Sequence, residues 1–318
     1  MRILLALNKT YYDIPDTGHW YTFEPLRELG HEVFWYDTVD PEVRDFSKVV
    51  EKFKPDLIWC CFTGNRKIAP YEPFEEIHAE TTSGRTKTFH WFADCTWRFD
   101  AKPMGSSQAC HSFTACSTPE PEYVQKYKEM GYENILLATW HANSKYYSPK
   151  PYSEKEIQLS LVGNLSETRK KFFDALAYLD FNTLDKEKDK MLPIEMPPRA
   201  LTVEEMFAYH SNTKIGINLA RNDNDPRKKT QMKQRIFEIA AGGGLIFTEY
   251  HKAMEGFFEE DREMITFKTP EEFLSKMRFL LKNESFAAKI AAAGHKRFLA
   301  EHDSKIRLKK LLKELKEL

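Results

Sequence analysis

The stretch KQRIFEIAAGGGLIFT, at Lys233–Thr248, decides the fold because three consecutive glycines join a helix pattern to a strand pattern. Apolar residues recur at helical spacing before the glycines, at Ile236, Phe237, Ile239 and Ala240. After the glycines, Leu245–Phe247 is a run of residues that favours a strand. Since glycine readily ends a helix, the stretch predicts a short helix that stops at Gly242–Gly244 and leads into a buried strand.

Three charged residues on this helix point to a nucleotide. Lys233 and Arg235 lie toward its N-terminal side, and Glu238 follows about one turn later. Cations and free helix N–H groups suit a diphosphate, whereas a carboxylate accepts hydrogen bonds from the two hydroxyls of a ribose. The alternative is that Glu238 is exposed on a surface helix and binds nothing.

Length and charge restrict the class of protein. A chain of 318 residues suits two domains of ordinary size, with a cleft between two lobes as the default expectation. Its 47 basic and 48 acidic residues give no overall field that attracts nucleic acid or an anionic membrane, so a phosphate site must be local. No apolar run approaches the roughly 20 residues of a membrane span, although a peripheral contact with a membrane or partner stays open.

Cysteine usage and the first residues predict a cytoplasmic protein. The cysteines are odd in number and lack zinc-site spacing, which indicates reduced thiols: Cys60, Cys61, Cys95, Cys110 and Cys116. The chain opens directly on a strand pattern instead of a basic segment followed by a long apolar one. No metal site is expected, because Asp223-Asn224-Asp225 is a weak acidic motif inside a basic loop.

Strand and helix patterns alternate along residues 1–150. A buried strand at 2–7 is followed by a helix that ends at Gly30 and by a second strand at 31–37, which together make one βαβ unit. Further strands are predicted at 54–62, 86–94, 112–118 and 134–140, with helices at 72–80 and 121–131. We therefore expect a parallel α/β domain in this part of the chain.

A second α/β set fills residues 151–300, after a proline-containing linker at Tyr146–Glu154. Strands are expected at 157–164 and 214–220 before the glycine-rich stretch, with helices at 168–180, 203–212, 271–282 and 284–302. The charged residues 301–318 have leucines at helical spacing, which predicts one more helix packed by a single stripe.

The order of these segments resembles the glycosyltransferase family that includes the spore maturation protein CgeB. The second half carries the likeness through SLVGNLSETRKKFFDAL, KIGINLARND, QRIFEIAAGGGLIFTEY, EEFLSKMRFLL and AAAGHKRFLAEH. The first half matches more loosely, through RELGHEVFWYD, KPDLIWCCF, HWFADCTWRF, SFTACS and GYENILLATWHANSKYYSP. The resemblance implies a GT-B fold, with two Rossmann-like parallel-sheet domains facing a cleft. It also implies a nucleotide-sugar donor on the second domain, an acceptor on the first and a final helix, 301–318, that crosses back.

The resemblance also implies roles for residues of the glycine-rich stretch. Glu238 would bind the ribose of the donor, and Gly242 and Gly243 would allow close packing behind it. Many related retaining enzymes have another acidic residue eight positions earlier, where this chain has Thr230, so the stereochemical outcome stays open. Lys233 and Arg235 are the expected diphosphate ligands, whereas the basic residues at 227–229 fit a solvated loop.

Strand ends in the second domain supply further candidates. Gly163 and Asn164 follow its first strand at the carboxyl end, where open α/β sheets bind ligands. A tight turn that contacts nothing is the alternative for this pair. Asn218 and Arg221 lie at the end of another strand and are expected to face the base or the diphosphate.

Two residues of the first domain are candidates for the base that activates an acceptor hydroxyl. Asp94 ends a predicted strand among aromatic residues, and such surroundings raise a carboxyl pKa toward neutrality. Its alternative role is a helix cap or a local turn. His19 follows Gly18 on the first loop, where some GT-B enzymes place their base, and its alternative is a surface loop histidine.

The sequence therefore predicts a metal-independent transferase that moves a sugar from a nucleotide-diphosphate sugar to a hydroxyl of a protein, glycan or lipid-linked sugar. It needs no other cofactor. A nucleotide-sugar epimerase on the same fold is one alternative, and a catalytically silent nucleotide-sugar binder is another. A nucleic-acid binder is disfavoured, because the basic loop is single and the net charge is −1.

Overall fold

The computed structural model describes residues 1–11, 14–93, 98–101, 105–163, 166–183, 194–197, 201–221 and 229–318. The chain divides into two compact units. The N-terminal unit comprises Met1–Asn143 together with Ser304–Leu318, and the C-terminal unit comprises Ser144–Asp303. The division falls a few residues before the predicted boundary at 150, and the last residues of the chain pack with the N-terminal unit.

Strands and helices alternate along the N-terminal unit. Its strands are β1 (Arg2–Leu7), β2 (Thr10–Tyr11), β3 (Ile14–Pro15), β4 (Glu32–Asp37), β5 (Leu57–Cys60), β6 (Lys87–Trp91), β7 (Ala115–Thr118) and β8 (Ile135–Leu137). Its helices are α1 (Glu24–Glu28), α2 (Phe46–Phe53), α3 (Phe74–Ser83), α4 (Ser106–Ala109), α5 (Pro121–Glu129) and the C-terminal helix, Ser304–Glu317. A π-helical turn at His19–Phe23 leads into α1.

Six of these strands form one parallel sheet in the order β4-β1-β5-β6-β7-β8. Parallel neighbours need crossover connections, which explains the alternation of helices and strands in the sequence. The strands β2 and β3 form a separate antiparallel pair.

Successive side chains along each strand point to opposite faces of this sheet, so the N-terminal unit has an apolar layer on each face. Leu4 and Ala6 of β1 join one core with α2 and α5. Ile3 and Leu5 point to the other face and join a second core, which the C-terminal helix covers with Leu308, Leu311, Leu312 and Leu315. The leucine stripe that the sequence showed therefore buries against the sheet, at roughly 1.5–3 kcal/mol for each fully buried leucine.

The C-terminal unit repeats the alternation with a smaller sheet. Its strands are β9 (Ile157–Ser160), β10 (Ile194–Glu195), β11 (Thr213–Asn218), β12 (Leu245–Glu249) and β13 (Ile265–Phe267). Its helices are α6 (Glu167–Thr183), α7 (Val203–Ser211), α8 (Arg235–Ala241), α9 (Pro270–Lys282) and α10 (Glu284–Arg297). The five strands are parallel in the order β10-β9-β11-β12-β13.

The glycine-rich stretch folds as predicted into a helix, a turn and a buried strand. All residues of α8 from Ile236 to Ala241 are buried, and so are all five of β12. Gly216 of β11 permits this packing, because a β-carbon there would lie 2.5 Å from Ile239 Cγ1. The predicted α/β class with two parallel sheets is confirmed. Among the described helices, none combines the length and the apolar character that a membrane span requires.

Candidate functional site

The strand order of the C-terminal unit places a ligand crevice beside β9. This strand pairs with β10 on one side and with β11 on the other, so the direction of winding reverses there. Ligands of open α/β sheets bind at the carboxyl ends of strands at such a switch point. Gly163 follows β9 at that end, and Asn218 closes β11 beside it. Asn164, the predicted neighbour of Gly163, lies outside the described residues.

Two arginines converge on Gly163. A β-carbon at this position would clash with Arg235 Nη2 and would lie 3.1 Å from Arg169 Nη1. Its φ of 133° is one that glycine tolerates and other residues rarely adopt. Arg235 also donates from Nη1 to Asn218 Oδ1 at 3.1 Å, so its guanidinium is fixed across the ends of β9 and β11.

The arginine pair concentrates positive charge at this crevice. Burial, followed by repulsion from Arg169, lowers the pKa of Arg235 to about 9, which still leaves a cation at neutral pH. Ser166, just before α6, adds a buried hydroxyl oxygen that has no hydrogen-bond partner among the described residues. Guanidinium forks, a hydroxyl and the start of a long helix are the groups that bind phosphate oxygens. Lys233, the other predicted diphosphate ligand, is half-buried just ahead of α8.

Glu238 lies on α8 and is only 6% exposed. Its Oε1 accepts a hydrogen bond from Gln234 Nε2 at 2.7 Å, and its Oε2 lies 3.9 Å from His210 Nε2. A carboxylate exposed on a surface helix, the alternative from the sequence, does not describe this residue. Glu238 also raises the pKa of Arg235 and so helps to keep that guanidinium charged.

His210, at the end of α7, is a neutral neighbour of this carboxylate. Burial lowers its pKa to about 3, and the charges of Arg235 and Lys155 act in the same direction. Neither ring nitrogen has a hydrogen-bond partner among the described residues. The ring therefore does not neutralise Glu238 at physiological pH.

Close packing between α7 and α8 positions Glu238. A β-carbon on Gly242 would lie 2.5 Å from the carbonyl oxygen of His210, so the two helix ends touch through backbone. The buried ammonium of Lys155 donates to Ser211 O and, at 2.7 Å, to Gly242 O, which holds the carboxyl ends of both helices. Gly243 has a φ of 68° and completes the turn after α8.

Arg221 and Thr230 form a separate cluster with Glu249, the last residue of β12. Arg221 Nε donates to Glu249 Oε1 at 2.8 Å, and the two residues form an ion pair. Thr230 pairs with Arg221 in an isolated β-bridge and shares a hydrogen bond with His251 Nδ1 at 2.9 Å. A phosphate at Arg221 would therefore compete with the carboxylate of Glu249.

The predicted acceptor residues belong to the N-terminal unit. His19 is partly exposed, lies 3.2 Å from Glu24 and stacks 6.2 Å from Trp35. On the same loop, Gly18 N donates to Asp16 Oδ1 at 2.7 Å, and burial raises the pKa of Asp16. Asp94, the other predicted base, lies outside the described residues.

The described residues contain neither a candidate metal site nor a paired cysteine. No group of three or more His, Cys, Asp or Glu side chains there is arranged to hold a metal ion. The acidic motif at 223–225 is not among those residues. The cysteines described are free thiols: Cys60, Cys61, Cys110 and Cys116.

Sequence reasoning missed several contributors to the C-terminal site, among them Ser166, Arg169, Lys155 and His210. Arg169 lies in a predicted helix without any local signal, although its position in the first turn after a strand-end glycine is one that anion sites use. Lys155 and His210 belong to the site only because of their contacts with Gly242 and Glu238, which are distant in the chain. No local sequence pattern identifies such residues.

Comparison with known proteins agrees with this architecture. Residues 156–313 match the family model described as "Glycosyl transferase-like". The structure is similar to sucrose-phosphate synthase from Thermosynechococcus elongatus, with a TM-score of 0.67, 10% identity and 99% of both chains covered. It is also similar to an alpha-glucosyltransferase in complex with UDP (TM-score 0.65, 10% identity, 99% of this chain and 100% of that chain). Anabaena Alr3699/HepE in complex with UDP gives a TM-score of 0.61 at 10% identity, with both chains covered to 100%. No curated protein sequence matches the chain.

Two parallel α/β units and this structural likeness define a GT-B fold. Residues 156–313, which include most of the C-terminal unit and part of the C-terminal helix, match a family model that describes glycosyl transferase-like proteins. The protein is a glycosyltransferase, as the sequence predicted.

Proposed function

We propose that the C-terminal unit binds the nucleoside diphosphate of a sugar donor, with its diphosphate between Arg169 and Arg235 and its ribose at Glu238. The observation that carries the proposal is the convergence of two guanidiniums on Gly163 at the switch point of the sheet. Because Gly163 has no β-carbon, both guanidinium groups can approach its backbone closely. Asn218 holds one of the two forks in place at 3.1 Å.

This arrangement suits the charge that develops during transfer. When the bond between the sugar and the diphosphate breaks, negative charge grows on the leaving phosphate. Cations that are already fixed by burial and hydrogen bonds stabilise that charge without reorganising. The protein needs no metal in this scheme, because Arg169, Arg235 and Lys233 supply the positive charge.

A base in the N-terminal unit accepts the proton of the acceptor hydroxyl. His19 and Asp94 are the proposed candidates. His19 has a partly exposed ring that can receive a proton, and Glu24 lies 3.2 Å from it to stabilise the resulting cation. The aromatic rings around His19 offer a platform for the apolar face of a sugar.

UDP is the proposed donor nucleotide, because two of the structurally similar proteins contain it. Within the glycosyltransferases, the motifs of the second half favour a CgeB-like member. The acceptor is a hydroxyl of a protein, glycan or lipid-linked sugar. We also propose a cytoplasmic location, because the cysteines among the described residues are free thiols.

The first experiment is a thermal-shift screen with UDP, GDP, TDP, CMP and their sugars, with and without a divalent metal. We expect stabilisation by one nucleoside diphosphate without metal. Calorimetric titration then compares Arg235→Gln and Arg169→Gln with Arg262→Gln, an exposed arginine paired with Glu259. Each site variant should weaken binding by about 10- to 100-fold, from lost charged hydrogen bonds, and the control should not.

Product analysis separates transfer from the two alternatives. Incubation with the donor identified by the screen should yield free nucleoside diphosphate and a glycosylated acceptor. Chromatography that shows a changed sugar nucleotide without acceptor would identify an epimerase instead. Tight donor binding with neither hydrolysis nor transfer, across a panel of hydroxyl acceptors, would identify a silent binder.

A further inference from the structure

The C-terminal helix turns one side to the N-terminal sheet and the opposite side to solvent. Its buried leucines pack on the sheet. On the opposite side lie Ile306, Lys309, Lys310 and Lys313, which are all exposed and stand three or four residues apart, so they share one face of the helix. Together they form the basic face. Residues 304–313 contain no acidic residue, so every charge in this part of the helix is positive.

The three lysines of the basic face form no ion pair with any described residue, in contrast to the lysine that begins the helix. Lys305 Nζ lies 3.3 Å from Glu28 Oε2 and is compensated there. Glu314 and Glu317 follow in the last turn and offset part of the remaining charge. Because the whole chain has a net charge of −1, the positive charge of this helix is a local concentration and not a property of the whole protein.

Large aliphatic side chains are exposed beside these lysines. Ile306 is 41% exposed, and Leu137, at the end of the edge strand β8, is 45% exposed. Leu137 and Lys310 line the same small surface cleft, so the end of β8 lies next to the basic face. Single exposed aliphatic residues are common on protein surfaces and need no explanation. Their position among unpaired lysines is what distinguishes this surface.

An anionic lipid surface matches both the charge and the apolar side chains. Lysine ammonium groups attract acidic headgroups, and their long stems lie along apolar surface. Aliphatic side chains enter the boundary between headgroups and acyl chains. Nucleic acid matches the charge alone, because its binding surfaces typically use arginine forks and aromatic rings. The exposed residues of the C-terminal helix include neither arginine nor an aromatic residue.

We propose that the basic face and Leu137 form a docking surface for an anionic membrane. The helix lies in the plane of the interface, with its lysines at the headgroups and Ile306 and Leu137 pressed into the boundary below them. Since the leucines on the other side of the helix anchor it to the sheet, docking brings the N-terminal unit to the membrane surface. Among the proposed acceptors, this favours a lipid-linked sugar; that consequence rests on the proposed function, whereas the docking does not.

The test sediments the full-length protein with vesicles of phosphatidylcholine, prepared with and without phosphatidylserine. We expect the protein to sediment with the anionic vesicles only, and less of it as salt rises, because salt screens the attraction of the lysines. No binding to the anionic vesicles, or equal binding to both kinds, would overturn the proposal. Duplex DNA is titrated in the same salt series. Binding to DNA but not to the vesicles would identify a nucleic-acid surface and would also overturn it.

Exposed lysines of the other unit provide a matched control. Replacing the three lysines of the basic face by glutamine should lower the partition coefficient on anionic vesicles roughly 100-fold, at about five-fold for each lysine. The same change at Lys282, Lys289 and Lys296, on α9 and α10, removes equal charge and should alter it little. Equal losses would mean that overall charge governs binding and would refute a specific surface. Ile306→Ser should weaken binding several-fold at constant charge, and an unchanged partition coefficient would contradict the insertion of aliphatic side chains.

Discussion

Replacing Glu238 by glutamine tests the ribose assignment, because the change removes a charged acceptor and keeps the size of the side chain. A hydrogen bond from a ribose hydroxyl to a carboxylate contributes about 1.5–3 kcal/mol, and one to a neutral amide about 0.5–1.5 kcal/mol. We therefore expect the ribose contact to lose about 1–2 kcal/mol. That loss corresponds to roughly 5- to 30-fold in Kd.

Glu238 also neutralises part of the positive charge of Arg235, so its loss strengthens the pull of Arg235 on the diphosphate. This second effect opposes the first in a simple affinity measurement. A thermodynamic cycle removes it, because the diphosphate is the same in UDP and 2′-deoxy-UDP. Removing the 2′-hydroxyl should cost the wild type about 1–2 kcal/mol more than it costs the Glu238→Gln variant.

Isothermal titration calorimetry of the four combinations of protein and nucleotide measures this difference directly. Glu271→Gln, which changes an exposed carboxylate at the start of α9, controls for the loss of one negative charge. If the wild type and the Glu238→Gln variant lose the same affinity for the deoxy analogue, Glu238 does not bind the ribose and the assignment is refuted.

Three further predictions concern packing, pH and the base. Gly242→Ala should lower the free energy of unfolding by about 1–3 kcal/mol, because its β-carbon meets the His210 backbone; Gly256→Ala, which has open space, should change it little in the same urea titration. His210 has a folded pKa of about 3 against an ordinary 6.5, so the unfolded state binds the proton first as pH falls. The protein should therefore lose about 2 kcal/mol of stability through His210 between about pH 7 and 5, and the His210→Gln variant should show a shallower pH dependence of its urea midpoint. His19→Asn should reduce turnover by about 10²-fold or more with unchanged donor affinity, and full activity in steady-state kinetics would remove His19 as the base.

The local pattern of apolar and polar residues was sufficient to predict most helices and strands of the fold. The run at 2–7, the helix–glycine–strand stretch and the helix predicted at 271–282 all appear within a residue or so of their predicted bounds. The strand predicted at 54–62 was too long at both ends: Cys61 and Phe62 continue the apolar run past the paired segment Leu57–Cys60, and the polar residues before Leu57 do not join the strand. β10 was missed, since two residues cannot display a period.

The candidate site was accessible from sequence only where its residues lie next to each other in the chain. Glu238 and Arg235 share a helix, and Gly163 is marked by its position after a strand. Arg169 carries no such mark, because an arginine on a helix is ordinarily solvated. Its importance comes from lying beside Arg235, a relation between distant segments of the chain.

The sequence by itself determined the α/β class, the alternation of its elements and the helix that bears Glu238, since periodicity and glycine conformation act over a few residues. Tertiary structure alone decided the strand order that creates the switch point beside β9. It also decided the meeting of two arginines there and the burial that makes His210 neutral. Charge and desolvation depend on distance in space, and pairing across a sheet brings together residues that the chain keeps far apart.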